Sequence, residues 1–186
     1  MSALVVATCF VAAGCAPDRS AETVASELVL HASDGLRIAA TLQTASSDRA
    51  PGLILVHQLG GYRTDWDHFA RRAAQAGYAT LAFDMRGHGE SAGLNPSAPG
   101  YRGFSAEDWK GVMRDIDAAK QALIDAGADA NRIGIAGASI GANLAAQYAA
   151  EHADVQALVM LSPGTEYKGV RVAPAFAAYG NRPSML

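Results

Sequence analysis

The sequence predicts an α/β domain built on a mostly parallel sheet, because strand-like and helix-like patterns alternate along it. An N-terminal β-hairpin comes first, with two β-like runs at residues 26–32 and 36–44 around the turn sequence SDG. Continuous apolar runs of strand length follow, at residues 52–57, 78–84, 132–138 and 155–161. Since helical segments separate these runs, we expect right-handed crossovers with helices on both faces of the sheet.

Helix signals lie in the intervals between the apolar runs. Residues 64–75 form the first predicted helix, with Thr64 as its cap, and residues 139–152 form the third, which is rich in alanine. Ser105 and Asp108 form a capping box ahead of the second, whose apolar residues recur every three to four positions. Residues 85–105 are rich in Gly, Pro and Ser and predict a long loop.

Composition and charge favour one globular domain without a nucleic-acid partner. The 186 residues are 50% hydrophobic and 18% charged, with a formal net charge of −3. No run of Lys or Arg provides the basic surface that nucleic acids require. Both cysteines, Cys9 and Cys15, precede the domain at residues 26–186, which therefore offers no thiol nucleophile and no cysteine metal site.

The N-terminal segment predicts export. Residues 1–15 are apolar, carry no charged side chain and are too short to span a bilayer. Residues 12–15 (AAGC) resemble a bacterial lipobox, which would attach a lipid to Cys15 and anchor the protein to a membrane or in the periplasm. Ala12 stands where Leu is usual and no Lys or Arg precedes it, so an ordinary signal with an incidental cysteine is the alternative. Residues 16–25 are small and polar and predict a linker.

A candidate nucleophile lies at residues 137–141, whose sequence GASIG has the spacing G-x-S-x-G. Ser139 falls between a predicted strand and a predicted helix, as a nucleophile elbow requires. We expect a strained backbone at Ser139. Gly137 and Gly141 would let the strand and the helix approach closely, and the helix N-terminus would face a developing oxyanion.

Two further motifs follow predicted strands. Residues 55–61 read LVHQLGG, and residues 84–91 read DMRGHGES. With these motifs and the serine turn, residues 26–186 resemble the α/β-hydrolase family, in its esterase, lipase, S33-peptidase or dienelactone-hydrolase branches. All three motifs would meet at the carboxyl edge of the sheet, where open α/β folds bind ligands.

The resemblance implies a role for several residues. Ser139 would be the nucleophile, and the backbone N–H groups of Gln58 and Ile140 would stabilise the oxyanion. The substrate would be a small acyl compound or ester, with no metal or organic cofactor. Gln58 stands where the family usually has Gly. Tyr62 and Trp66 either line the acyl pocket or pack the first helix.

The catalytic base is not identified by the sequence. The family's chain order is Ser, acid, His, but only His152 follows Ser139, and the helix places it about 20 Å away. His57 and His88 lie on loops at the correct edge, where the family's residues mostly shape the loops.

Two positions are open for the catalytic acid. Glu166 follows the run at 155–161, although the family more commonly places its acid one strand later. That strand would begin at residues 182–186, so we expect these residues to be part of a longer domain. The resemblance implies two further strands, bearing an Asp and the His, beyond Leu186.

These patterns predict a serine hydrolase that cleaves a carboxylic ester or a related acyl bond through an acyl-serine intermediate. The 186 residues alone would lack the base and be inactive. The alternative is a non-catalytic binding or assembly module on the same scaffold. A dinucleotide site is disfavoured, because Gly134, Gly137 and Gly141 do not have the spacing G-x-G-x-x-G.

Overall fold

The structure, a computed structural model, describes residues 24–186. The predicted export signal, Cys15 and most of the predicted linker lie outside this range. No helix between residues 24 and 186 is both long and apolar enough to cross a membrane.

The described chain alternates strands and helices as the sequence predicts. Its strands are β1 (Ala25–His31), β2 (Arg37–Gln43), β3 (Gly52–Val56), β4 (Ala79–Phe83), β5 (Ile133–Ala138), β6 (Val155–Leu161), β7 (Glu166–Tyr167), β8 (Val170–Arg171) and β9 (Ser184–Met185). Its helices are α1 (Asp67–Gln75), α2 (Gly89–Leu94), α3 (Ala106–Asp125), α4 (Ile140–Glu151) and α5 (Val172–Tyr179), with 3-10 turns at Arg63–Trp66 and Tyr101–Gly103.

The main sheet has the strand order β1-β2-β4-β3-β5-β6-β9. β1 and β2 form the predicted antiparallel hairpin, and β2 also pairs antiparallel with β4. From β4 to β9 every pairing is parallel. This confirms the predicted fold class, and it places β3 and β5 beside each other at the centre of the sheet.

Helices cover both faces of the sheet. Side chains alternate along each strand, so neighbours such as Ile54 and Leu55 pack on opposite faces. The larger core, which includes Ile54, lies under α3 and α4. On the other face, Trp66 and Ala70 from the α1 region pack against Leu55.

The first helix differs from its prediction. The sequence suggests one helix capped by Thr64, whereas the chain forms a 3-10 turn at Arg63–Trp66 and begins α1 only at Asp67. The Asp65 carboxylate accepts the Tyr62 N–H at 3.0 Å, so the tighter turn is capped by Tyr62, two residues before the predicted cap. The predicted capping box of α3 is confirmed, since the Asp108 N–H donates to the Ser105 hydroxyl at 3.3 Å.

The segment after β6 contains short elements that the sequence patterns did not reveal. β7 and β8 form a small hairpin, and α5 packs on α4. β9 then pairs parallel with β6 through Leu158 and Ser184, which agrees with the strand predicted at residues 182–186. The predicted loop at residues 85–105 likewise holds α2 and a 3-10 turn.

Candidate active site

Ser139 occupies the turn between β5 and α4 in an unusual backbone conformation. Its φ is +52° and its ψ is −120°, a region that costs a non-glycine residue about 1–3 kcal/mol. The Ser139 N–H donates to the Leu161 carbonyl at 2.9 Å, and its own carbonyl accepts the Ala142 N–H at 2.9 Å. Bonds to the neighbouring strand and to the first turn of α4 therefore hold the strained residue in place.

Two glycines make this turn sterically possible. A Cβ on Gly137 would lie 2.2 Å from the Gly141 carbonyl oxygen, and a Cβ on Gly141 would lie 2.4 Å from the carbonyl oxygens of Val56 and His57. All of these neighbours are backbone atoms, which cannot swing aside. The start of α4 is thereby packed directly against the end of β3 and the loop that follows it.

That loop brings Gln58 to the same edge of the sheet as the serine turn. Within residues 24–186, the Gln58 N–H donates to no other backbone group. Ile140 is the first residue of α4, where helix N–H groups have no acceptor inside the helix. Two backbone donors are thus available near the turn. The Gln58 side chain, which replaces the expected glycine, donates through Nε2 to the Asp65 carboxylate at 2.8 Å.

His57 is buried and bonded through both ring nitrogens. Its Nδ1 lies 2.7 Å from the Gln58 carbonyl oxygen, and its Nε2 accepts the Met85 N–H at 3.0 Å. The proton therefore sits on Nδ1, and burial lowers the pKa of His57. This neutral ring joins the loop after β3 to the loop after β4.

His88 is enclosed as well. Its Nδ1 lies 3.0 Å from the Arg86 carbonyl oxygen, and its ring stacks on Tyr101 with centroids 4.1 Å apart. Nε2 is buried and has no hydrogen-bond partner among the described residues. Burial lowers the pKa of His88 to about 4, so the ring is neutral at ordinary pH.

The remaining histidines lie away from the turn. His152 follows the last turn of α4 and stacks on Tyr148, with ring centroids 3.9 Å apart. His31 ends β1, and His68 is exposed on α1. In the part of the chain that the structure describes, no histidine ring nitrogen is hydrogen-bonded to the Ser139 hydroxyl.

Glu166 lies on β7, one of the two short strands of the hairpin after β6. Its side chain is largely exposed and lies 3.7 Å from the Arg171 guanidinium. An exposed pair of this kind contributes little to stability, so it does not fix the carboxylate firmly.

Asp84 is a buried carboxylate that joins the loops around the site. It is 1% exposed and accepts the Arg63 N–H at 2.7 Å, the Arg63 guanidinium at 2.7 Å and the Glu90 N–H at 2.9 Å. Arg63 also pairs with Glu27 on β1 at 2.9 Å. This cluster was not predictable, because no local sequence pattern connects Arg63 with Asp84.

Arg86 and Asp115 form a second buried pair that was not predicted from the sequence. Arg86 Nη2 lies 2.7 Å from Asp115 Oδ1, and Arg86 Nη1 lies 2.7 Å from Asp34 in the hairpin turn. Burial raises the pKa of Asp115 to about 6, which the Arg86 charge opposes. A signal was present in the sequence, since Asp115 interrupts the apolar stripe of α3 between Val112 and Ile116.

Tyr62 and Trp66 differ in their surroundings. Trp66 is buried against the sheet and makes an edge contact with Phe69, with ring centroids 5.7 Å apart. Tyr62 is exposed beside the loop. Trp66 is thus a packing residue, one of the two roles that the sequence left open.

The strand order and the serine turn between β5 and α4 define an α/β-hydrolase fold. The chain belongs to the serine aminopeptidase S33 family, whose model matches residues 48–182. A comparison with curated protein sequences found no significant match.

Solved structures with similar folds include several hydrolases. A carboxyl esterase from Bacillus coagulans has a TM-score of 0.59 at 20% identity, over 75% of this chain and 44% of its own. An esterase from Pyrococcus furiosus has a TM-score of 0.58 at 23% identity, over 82% and 57%. A proposed dienelactone hydrolase from Klebsiella pneumoniae has a TM-score of 0.64 at 18% identity, over 89% and 85%.

The chain spans less than half the length of several other matching structures. It covers 46% of two of them and 36% of a third. At 19% to 21% identity, these matches show the fold alone.

Proposed function

We propose that the protein is a serine hydrolase that cleaves a carboxylic ester or a related acyl bond through an acyl intermediate on Ser139. The strained turn at Ser139 carries this proposal, because strained backbone conformations cluster at active sites. Membership of a hydrolase family and the two esterases with similar folds support it.

In the proposed reaction, the Ser139 Oγ attacks the acyl carbon and loses its proton to a base. The backbone N–H groups of Gln58 and Ile140 stabilise the oxyanion that forms. Loss of one such donor typically costs about 2.7–4 kcal/mol of transition-state stabilisation. The alcohol leaves, water attacks the acyl-serine, and the acid product is released.

We propose that none of the histidines between residues 24 and 186 is the base. His57 uses both ring nitrogens to hold backbone groups, and His88 is enclosed by aromatic rings. Glu166 remains the acid candidate in this range, although its pair with Arg171 would have to open. Without the family's histidine, the 186-residue chain alone would lose on the order of 10⁶-fold in turnover.

Labelling with a fluorophosphonate probe tests the proposal. The protein isolated from its native source should react, and Ser139→Ala should not. Ser162→Ala is a matched control, because Ser162 also has a positive φ, of 50°, and follows the neighbouring strand β6. Equally poor labelling of wild type and Ser139→Ala would contradict a serine mechanism.

The second candidate is a non-catalytic binding or assembly module. Among the described residues, the lack of a histidine bonded to Ser139 favours it. Absence of labelling in the native protein, together with retained folding of Ser139→Ala, would support this module. For a protein that does label, rates on p-nitrophenyl esters and aminoacyl p-nitroanilides would separate esterase from aminopeptidase activity.

We further propose that the protein is exported and anchored to a membrane by a lipid on Cys15, or held in the periplasm. The apolar segment at residues 1–15 and its similarity to a lipobox support this. An intact mass with acylated Cys15 as the first residue is the expected result. A mass that fits cleavage without lipid would contradict the anchor.

A further inference from the structure

We propose that Asp65 is a positioning residue for the Gln58 backbone N–H, through a carboxylate that fixes both ends of the loop at residues 58–62. This proposal rests on the proposed function, which gives the Gln58 N–H its role as an oxyanion donor.

The carboxylate of Asp65 receives two hydrogen bonds from this loop. Its Oδ2 accepts the Gln58 Nε2–H at 2.8 Å, at the beginning of the loop. The same oxygen accepts the Tyr62 N–H at 3.0 Å, at the end of the loop. One side chain thus closes the segment that carries the donor.

Backbone bonds close the same segment from within. The Gly61 N–H donates to the Gln58 carbonyl at 3.0 Å, and the Asp65 N–H donates to the Tyr62 carbonyl at 3.1 Å. The Gln58 N–H belongs to the peptide unit that begins with the His57 carbonyl, and the Gln58 carbonyl belongs to the next unit. The bonds at that carbonyl and at the side chain therefore restrain Gln58 on the C-terminal side of the donor and at its Cβ branch. Donors fixed before the reaction need no reorganisation as charge develops, which is the source of their effect.

Gly61 shows how closely these groups are packed. A Cβ at Gly61 would lie 2.6 Å from Gln58 Nε2 and 2.7 Å from Asp65 Oδ2. Both atoms are ends of flexible side chains, which can move apart. Gly61→Ala should therefore leave the fold intact while it separates Gln58 from Asp65.

The contact with Asp65 is needed because residue 58 carries a long side chain. The sequence has glutamine where the family usually has glycine, so the loop must accommodate a side chain beside the donor. The bond to Asp65 gives that side chain one defined position. We expect the pair to act as a unit, so that Asp65→Ala and Gln58→Ala are not additive.

The test uses the full-length native protein and two readouts. Asp65→Ala and Gly61→Ala should lower kcat for a p-nitrophenyl ester about tenfold or more, since small displacements near the reacting atoms are costly. KM should stay within about twofold, because the ground-state carbonyl gains little from the donor. Asp65→Asn, whose amide oxygen still accepts hydrogen bonds, should recover most of the rate. Amide exchange at Gly61 and Tyr62 should be about tenfold faster in Asp65→Ala.

Matched controls distinguish the loss of positioning from general effects of a removed charge or an added methyl group. Asp67→Ala removes a carboxylate from the first turn of α1, and Gly93→Ala adds a methyl group in open space. Both should keep the wild-type kcat and exchange rates. Unchanged kcat or unchanged exchange in Asp65→Ala overturns the role of Asp65 while the proposed function stands. A wild-type protein without labelling or turnover overturns the proposed function and this role together.

Discussion

At Ser139, the cost of an unfavourable backbone conformation is offset by close backbone packing, which the two glycines of the motif allow. Gly137 and Gly141 leave space for backbone atoms at 2.2 Å and 2.4 Å from where a Cβ would stand. Any larger residue at either position would push β5, α4 and the end of β3 apart. The two glycines of G-x-S-x-G therefore allow the close packing of the turn, and the serine side chain is not required for that packing.

Because the backbone at Ser139 is strained, glycine should be more stable than alanine at this position, which is the reverse of their order in a helix. Ser139→Gly should be more stable than Ser139→Ala by about 1 kcal/mol, because glycine accepts a positive φ without strain. At Gly93, which is exposed on α2, the order should reverse, with Gly93→Ala more stable than wild type by up to about 1 kcal/mol. Urea unfolding measures all four proteins. Equal stability of the two Ser139 variants would mean that the turn is unstrained.

Single residues were predictable from the sequence where a local motif carries the information. Ser139 and its two glycines were found in this way, and so were Ser105 and Asp108 at the start of α3. Arg63 and Asp84 were not paired in advance, since their contact depends on how two loops meet after the sheet has formed. The anchoring of the Gln58 side chain by Asp65 was missed for the same reason.

Among the elements, the loops at the carboxyl edge of the sheet depend on buried charges. Arg63 is 8% exposed and links the 3-10 turn to Asp84 after β4 and to Glu27 on β1. Removal of one partner leaves the buried Asp84 carboxylate without its countercharge. The positions of these loops thus rest on a few ion pairs as well as on apolar packing.

This dependence predicts a large difference between two arginine substitutions. Arg63→Met should destabilise the protein by about 3 kcal/mol. Arg49→Met should cost less than about 0.5 kcal/mol, because Arg49 is 75% exposed and lies 3.5 Å from Asp129. Thermal or urea unfolding of both variants provides the comparison. Similar losses in the two variants would show that the Asp84 cluster does not hold the loops.

The buried histidine of the β4 loop predicts a loss of stability in acid. The pKa of His88 falls from its ordinary value of 6.5 to about 4 on burial. Its contribution is therefore fully present above pH 6.5 and is lost as the pH falls towards 4. Asp115, with its pKa raised to about 6, acts in the opposite direction, because its contribution is lost as the pH rises through 6.

Comparison of wild type with a variant at position 88 separates the contribution of His88 to the pH dependence of stability from that of Asp115. Between pH 7 and pH 4.5, wild type should lose about 2 kcal/mol more than His88→Phe, which keeps a ring beside Tyr101 but does not titrate. Unfolding at both pH values gives the result, and a substitution of the exposed His68 should leave the difference unchanged. Parallel losses in wild type and His88→Phe would show that burial of this ring does not lower its pKa.

Element boundaries were predicted best where the pattern was long. α3 shows a capping box and a continuous apolar stripe, and its start was correct. The first helix was given the wrong start, because its opening 3-10 turn depends on the Asp65 contact with Tyr62. α2 and the β7–β8 hairpin are too short for a periodic pattern to distinguish them from loop.

At the scale of the whole sheet, the described residues cover its two faces unequally. α3 and α4 enclose one face, where Leu158 is 0% exposed. On the face that α1 covers in part, Val159 is only partly buried, and Leu161 at the end of β6 is 46% exposed. Most of the apolar stabilisation of the described chain therefore comes from one layer.

Because the two faces of the sheet are covered unequally, the same Leu→Ala substitution should lower the free energy of unfolding by different amounts at two positions of β6. Leu158→Ala should lower the free energy of unfolding by about 2–5 kcal/mol through loss of burial and the cavity left behind. Leu161→Ala should cost less than about 1 kcal/mol, because half of that side chain already contacts solvent. Denaturant titration of the two variants gives both values. Equal costs would show that another group covers the face of Leu161.

At this scale the fold class was predictable, because hydrophobic runs of strand length alternate with helical segments. The position of β4 between β2 and β3 was not predictable from those patterns, since each strand carries a similar apolar run. The order depends on where each crossover places its strand, which no local pattern encodes. Packing between distant segments then decides which loops meet.

The contact of Gly141 with the carbonyl oxygens of Val56 and His57 bears on the order in which the chain folds. β3 leaves the ribosome long before α4, with α1, β4, α2, α3 and β5 made in between. Before α4, β3 and β6 are packed together, neither the close contact at Gly141 nor the bond from the Ser139 N–H to the Leu161 carbonyl can hold Ser139 at a positive φ. We therefore expect Ser139 to adopt its strained conformation only when β3, α4 and β6 have come together, so that this conformation reports on assembly of the sheet centre.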